Sequence, residues 1–181
     1  MPDTPPAHGP SDAHPALFRI VRSQFPFGAF FGHDLIALLD PANRLLREAD
    51  GLATSRSGRI KPIGYLPSDR LKVHEFDRAA LYRPNQPRVT LFEGTHAEAM
   101  QRWAALREAG RMLNALDLPY PFLGLGPNSN SVACTLTAAM ALDDRLHCGR
   151  RHAPGRGTLL LQPAQLADLH QRHGWPSSKA V

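Results

Sequence analysis

Residues 32–40 read GHDLIALLD, and residues 128–142 read NSNSVACTLTAAMAL. The first stretch carries a single charge, Asp34, before its final aspartate, which predicts a strand buried on both faces. The second stretch opens with residues that cap helices and then runs without a charge as far as Leu142, which predicts an apolar helix. Together they indicate a sheet with a central helix packed against it.

Further strands are expected on both sides of the first stretch. Alternating and β-branched patterns predict strands over residues 17–24, 33–39, 44–50, 71–76, 88–92 and, more weakly, 158–161. The turn Asp40-Pro41-Ala42-Asn43 joins the second and third of these strands into a hairpin, because Asp caps a turn and Pro presets the next backbone angle.

Two further helices are predicted. Thr95 and Glu98 match the S/T-x-x-E capping box, and apolar residues at steps of three and four follow as far as Leu116. Residues 163–173 form a last amphipathic helix. The predicted fold class is α+β: an antiparallel sheet of about four to six strands, a central buried helix, and a second long helix packed on it.

Composition divides the chain into three parts. Residues 1–15 hold five Pro and no aromatic residue, which predicts a flexible arm. Residues 16–150 form one predicted domain of catalytic type, and residues 151–181 form a C-terminal extension with one short helix. Residues 51–70 are predicted to be a long loop, and loops of more than about 12–15 residues often cover a binding site.

Charge and cysteine content argue against several function classes. The chain has 21 Lys and Arg against 16 Asp and Glu, a net charge of +5, without the dense basic stripe of a nucleic-acid-binding protein. The only local cluster is Arg145, Arg150, Arg151 and Arg156. The nine His and two Cys show no zinc spacing, so no metal or other cofactor is expected. Both cysteines are expected to be reduced.

The N-terminal residues give no export signal of the Sec type. They lack a basic segment followed by an apolar core, and no apolar stretch of the chain approaches ~18 residues, the length of a membrane-spanning helix. We expect a cytoplasmic protein without a transmembrane segment, or one exported by a route that uses no cleaved Sec signal.

Candidate catalytic groups stand at the starts of the two apolar stretches. Ser129 lies in the first helical turn, where backbone amides and the helix dipole can stabilise an oxyanion. His33, at the mouth of the strand, could serve as the base, and Asp50 or Glu48 on the next strand could orient its ring.

Each of these residues also has an ordinary structural interpretation. Ser129 could cap its helix without any chemistry. His33 could bond to Asp34 or Asp40 at the strand end, and the two carboxylates could be exposed beside Arg47.

Neighbouring side chains are candidates for substrate contact. Asn128, Asn130 and Ser131, together with backbone amides near Asn130, could form an oxyanion hole or could cap the helix. Phe31 and Tyr65, with Phe30, could line a ligand pocket.

The order of these residues resembles the permuted papain-like superfamily, which includes permuted NlpC/P60 peptidases and lecithin:retinol acyltransferase-like proteins. The matching features are Gly-His before an apolar strand and an Asp-Pro turn, and later Asn-x-Asn at the start of an apolar helix. The resemblance implies that His33 is the base, that Asp50 or Glu48 is the third residue, and that Ser129 stands where the family has its nucleophilic Cys. A hydroxyl has a far higher pKa than a thiol, so it depends on base-assisted attack.

The function implied by this resemblance is hydrolysis or acyl transfer at an amide or ester. Peptidoglycan peptide is the first expected substrate class and an acyl lipid the second. A role as a bacterial toxin or effector, with an inhibitor or immunity protein as partner, would fit the missing Sec signal. The alternative is an inactive member of the same fold that binds a ligand or a protein in the same pocket.

Overall fold

The computed structural model describes residues 16–175, so the predicted arm over residues 1–15 lies outside the described part. The strands are β1 (Phe18–Phe27), β2 (Phe31–Leu39), β3 (Leu45–Thr54), β4 (Ile60–Lys61), β5 (Arg70–Phe76) and β6 (Arg88–Gly94). The helices are α1 (His96–Ala115), α2 (Ser129–Ala139) and α3 (Pro163–Arg172), with a short 3-10 turn at Phe122–Gly124. This architecture confirms the predicted α+β class.

The six strands form one antiparallel sheet in the order β4-β3-β2-β1-β6, with β5 paired to β3. The ladder between β2 and β3 runs from Leu39 opposite Leu45 to Ile36 opposite Ala49. The residues of β2 before Ile36 are not paired with β3. The last residues of β3, Ala53 and Thr54, pair with β4 instead. The sheet therefore opens between β2 and β4.

Strand β2 is buried at every residue after Phe31, which confirms the prediction of a strand covered on both faces. On one face, Ile36 and Leu38 belong to the main core formed with α1 and α2. On the other face, Leu35 and Ala37 pack in a smaller cluster with Tyr82. Helix α2 is buried along nearly its whole length, as its apolar sequence predicts.

Helix α1 begins at the predicted capping box. The Glu98 carboxylate accepts the backbone N–H of Thr95 at 2.8 Å, and the Thr95 hydroxyl accepts the backbone N–H of Glu98 at 3.3 Å. Two orphan amides of the first turn are thus satisfied. Trp103, Leu106 and Leu113 form the buried face of this helix.

Two predicted segments are wrong. Residues 158–161 are not a strand, because the segment runs along α2, where the Leu160 N–H donates to Thr135 Oγ1 at 2.9 Å. Residues 51–70 are not one long loop, since β3 continues to Thr54 and β4 follows. Gly51 allows β3 to continue under α2, because a Cβ there would lie 2.6 Å from Val132 Cβ.

Across residues 16–175, no helix combines the length and the apolar character needed to cross a bilayer.

Candidate functional site

A buried histidine and aspartate are bonded where the sheet opens between β2 and β4. His33 Nε2 lies 2.9 Å from Asp50 Oδ1, and both side chains are buried. An ionised carboxylate can only accept a hydrogen bond, so His33 Nε2 carries the proton and Nδ1 is left as the basic nitrogen. Of the two carboxylates predicted to orient His33, Asp50 is the one in contact with the ring.

Glu48 instead binds the backbone of the segment after β5. Its carboxyl accepts N–H groups from Ala80, Leu81 and Tyr82 at 2.8, 2.7 and 3.1 Å. Burial and the neighbouring Asp50 raise the pKa of Glu48 to about 7, although the backbone amides act in the opposite direction. Asp50 Oδ2 is buried without a hydrogen-bond partner in the described part of the chain. A protonated Glu48 could donate to this oxygen.

His74 places a second imidazole beside the same aspartate. It lies opposite Asp50 in the pairing of β3 with β5, and its Nε2 is 2.9 Å from Thr54 Oγ1. Burial lowers the pKa of His74, while the charge of Asp50 raises it. Asp50 therefore interacts with imidazoles on both neighbouring strands.

Ser129 is the first residue of α2 and is not its cap. The cap is Asn128, whose Oδ1 accepts the backbone N–H groups of Asn130 at 2.8 Å and Ser131 at 3.4 Å. The hydroxyl of Ser129 is therefore not needed to satisfy the end of the helix.

The Tyr120 hydroxyl adjoins Ser129. Burial raises the pKa of Tyr120 to about 12, while polar contacts with the hydroxyl and the backbone amide of Ser129 act in the opposite direction. The phenol therefore keeps its proton at neutral pH and is available as a donor. Sequence analysis missed this residue, because the segment containing it signals only the end of α1.

Most of the asparagine N–H groups expected to bind an oxyanion already have partners. Asn128 Nδ2 donates to Gly124 O at 2.6 Å and to Pro154 O at 2.9 Å, and Asn130 Nδ2 also donates to Pro154 O at 2.9 Å. The backbone N–H of Asn130 is held by the cap. The expected oxyanion role therefore does not fit Asn128 or the backbone N–H of Asn130, and the second N–H of Asn130 Nδ2 and the backbone amide of Ser129 are the remaining candidates.

Arg156 fixes the chain after α2 to the start of β2. Its Nε and Nη2 donate to the two carboxylate oxygens of Asp34, each at 2.9 Å, and Asp34 is fully buried. The backbone N–H of Asp34 donates to Asn130 Oδ1 at 2.8 Å. Residues 151–157, which composition places in a C-terminal extension, therefore hold Arg156 against the start of β2 and supply Pro154 to the wall of the cavity.

A cavity of about 360 Å³ joins these elements. His33, Ser129 and Tyr120 line it together with the two asparagines of α2. The other walls are mainly apolar and consist of Phe27, Phe31, Gly32, Pro62, Ile63, Gly124, Leu125 and Pro154. No Asp, Glu, Lys or Arg is among the described residues that line it. The cavity therefore suits a group that is apolar and uncharged.

The remaining predicted residues fall both inside and outside this cavity. Phe31 lines it, whereas Phe30 lines a neighbouring cleft. Tyr65 does not line it, since its ring packs against Lys61, whose Nζ is 3.9 Å from the ring centroid. Ser131 Oγ donates to Gly155 O at 2.9 Å and so holds the chain after α2.

Ser129 and His33 line the same cavity, but no hydrogen bond joins these two described residues. Side-chain alternation along β2 groups His33 with Leu35 and Ala37, on the face opposite α2. His33 reaches the cavity because it lies at the open end of the strand.

No protein-family model, no curated protein and no solved structure matches this chain at a significant level. Within residues 16–175, no group of three or more His, Cys, Asp or Glu side chains could hold a metal ion. Both cysteines are free and buried.

Proposed function

We propose that this protein is a hydrolase or acyltransferase that acts on an amide or ester, with a permuted papain-like site in which serine replaces cysteine. Ser129 is the nucleophile, His33 is the base and Asp50 orients the base. The observation that carries the proposal is the buried His33–Asp50 pair, 2.9 Å apart, beside a cavity that Ser129 also lines. This combination supplies a nucleophile, a base and an orienting carboxylate.

The proposed reaction gives each of these groups one role. His33 Nδ1 takes the proton of Ser129 as the Ser129 oxygen attacks the substrate carbonyl carbon, and Asp50 stabilises the resulting imidazolium. The oxyanion accepts hydrogen bonds from the Ser129 amide and the Tyr120 hydroxyl. The imidazolium then protonates the leaving group, and water or an acceptor alcohol attacks the acyl-enzyme and regenerates the serine.

The cavity lining bears on the substrate class. Peptidoglycan stem peptides carry carboxylates, and a charged group buried without a partner costs several kcal/mol. An apolar acyl group would meet no such cost against Phe27, Ile63 and Leu125. We therefore place an acyl ester ahead of peptidoglycan peptide as the substrate to test.

A second candidate function is a binding module without catalysis. Two observations favour it: no hydrogen bond joins the described residues Ser129 and His33, and His33 belongs to the face of β2 opposite α2, the helix that carries Ser129. In that case the cavity would hold the same apolar ligand, and the Ser129 hydroxyl would only contact Tyr120.

The proposal can be tested without a known substrate by Ser129→Cys. If His33 serves Ser129 as a base, a thiol at the same position should form a thiolate at low pH, because an imidazolium nearby lowers a thiol's pKa. Alkylation by iodoacetamide, followed by peptide mass spectrometry, should then persist at pH values at which an ordinary thiol is almost unreactive. The native Cys134 and Cys148 are buried and serve as internal references.

A second variant separates the effect of the base from that of the helix. Ser129→Cys combined with His33→Ala keeps the helix dipole and removes the imidazole. We expect rapid alkylation at low pH only for Ser129→Cys alone. Equal rates in the two variants would refute the role of His33 as a base for this position.

Turnover is the second readout. Esters of p-nitrophenol with increasing acyl length should be cleaved by the native chain, with a preference for acyl groups that fill the cavity. Ser129→Ala should abolish cleavage, while Ser57→Ala, at an exposed serine that does not line the cavity, should leave it intact. Cleavage that persists in Ser129→Ala would exclude Ser129 as the nucleophile and leave the binding-module function.

A further inference from the structure

Exposed apolar side chains surround the mouth of the cavity. Phe30 is 77% exposed in the turn between β1 and β2, and Leu125 is 72% and Phe122 is 66% exposed at the 3-10 turn. Phe31, which directly follows the first turn, and Leu125, at the second turn, both line the cavity, so both turns lie at its mouth. Large apolar groups that are clustered and exposed in this way mark a contact surface.

The segments around the mouth contain no acidic residue. Residues 25–33, 119–131 and 145–157 include no Asp or Glu. Arg150 and Arg151 lie beside Phe30 along an open cleft of about 970 Å³. Arg151 Nη1 donates to the carbonyls of Gly28 and Ala29, which holds this guanidinium at the tip of the turn. The apolar tips are therefore flanked by positive charge.

We propose that this surface binds an anionic lipid bilayer. We call it the mouth surface and define it as Phe30, Phe31, Phe122, Leu125, Arg150 and Arg151. Apolar side chains that enter the headgroup region, with arginines that attract anionic lipids, are the combination used by proteins that bind the membrane interface.

The arrangement of the side chains favours a bilayer over a protein partner. The most exposed apolar groups, Phe30 and Leu125, stand on two separate turns and do not line a common groove. A protein partner would be expected to meet a concave pocket or a flat core with a polar rim. Charge complementarity with anionic headgroups accounts for the arginines as well.

The proposal extends the proposed function and does not depend on catalysis. A bilayer bound at the mouth surface would face the opening between Phe31 and Leu125, so an apolar chain could enter the cavity directly from lipid. Binding itself requires neither Ser129 nor His33. Ser129→Ala is therefore expected to bind lipid as the native chain does, and a failure of one proposal is distinguishable from a failure of the other.

Vesicle co-sedimentation with the full chain tests the proposal. We expect binding to vesicles of phosphatidylcholine and phosphatidylglycerol in equal parts, and much weaker binding to phosphatidylcholine alone. Arg150→Ala and Arg151→Ala should each weaken binding about fivefold, the effect of one basic residue near an anionic surface. Phe30→Ser combined with Phe122→Ser should weaken it at least tenfold.

Matched controls lie away from the mouth. Leu159→Ser replaces an apolar residue that is 40% exposed, and Arg111→Ala removes an exposed arginine of α1. Both variants should bind as the native chain does. The proposal is overturned if the native chain does not bind anionic vesicles, or if the controls weaken binding as much as the mouth variants. It is also overturned if the native chain is a dimer that Phe30→Ser dissociates, because the surface would then be an interface between two copies.

Discussion

Glu48→Gln should flatten the pH dependence of folding stability between pH 4.5 and about 7. Burial and the neighbouring Asp50 raise the pKa of Glu48 from 4.5 to about 7 in the folded chain. The folded state then binds more protons at Glu48 than the unfolded state in this range, so the contribution of Glu48 to stability is fully present below pH 4.5 and is lost as pH rises through about 7. At about 1.36 kcal/mol per pH unit, the difference between 4.5 and about 7 corresponds to a loss of about 3 kcal/mol.

Urea unfolding of the native chain and of Glu48→Gln at a series of pH values measures this loss. The glutamine does not titrate, and its amide cannot accept the Ala80 N–H while it donates to Asp50, so the variant should be less stable by about 1–3 kcal/mol. The slope with pH is the decisive readout. Glu93→Gln, at an exposed carboxylate of β6, is the control and should keep the native slope. If the free energy of unfolding of Glu48→Gln changed with pH as steeply as that of the native chain, the assignment of this pH dependence to Glu48 would be refuted.

Two further changes test the packing that supports the site. Gly51→Ala should destabilise the chain by about 1–3 kcal/mol because its Cβ would lie 2.6 Å from Val132 Cβ. Adding Val132→Ala should recover part of this loss in urea unfolding, and strict additivity of the two effects would contradict the steric explanation. Arg156→Ala should cost about 3–5 kcal/mol because it leaves the buried Asp34 without its counter-ion. The double variant Asp34→Leu with Arg156→Met should lose less stability than Arg156→Ala in thermal and urea unfolding. If the two variants lost the same amount, the unpaired charge of Asp34 would not be the cause.

The elements that the sequence predicts well are those specified by neighbours in the chain. The capping box of Thr95 and Glu98 predicts the start of α1, because both partners lie within one turn. The apolar run after His33 predicts a central strand, since nearly every residue in it must find an apolar environment. The polar start of α2 is likewise local, and Asn128 completes the cap within its own first turn.

The site needs information that the local pattern does not hold. Alternation puts Glu48 and Asp50 on one face of a strand, so the sequence alone leaves both open as partners of His33. The choice depends on where β2 and β3 separate, which is a property of the whole sheet. Asp34 and Arg156 lie 122 residues apart in the sequence, so the sequence alone shows Arg156 only as one member of a local cluster of arginines.

The two incorrect predictions depend on a glycine at the start of residues 51–70 and on the leucine run at residues 158–161. Gly51 stands at the start of the loop that the sequence predicts over residues 51–70, although it allows a strand to pass close to Val132. The apolar run at residues 158–161 suggests a strand, but Thr135 accepts the N–H of Leu160 and holds the run against α2. In both cases a contact with α2 decides the local structure, and this contact is visible only in three dimensions.

The bond between Arg156 and Asp34 also has a consequence for the growing chain during synthesis. The strands that carry His33 and Asp50 leave the ribosome before residues 154–156, and domains commonly begin to fold from their N-terminal part. The cavity lacks a wall until Pro154 arrives, and that wall is not fastened until Arg156 reaches Asp34. A chain that has not been made as far as Arg156 therefore cannot enclose a ligand, and whatever chemistry the cavity supports begins only after that residue has been translated.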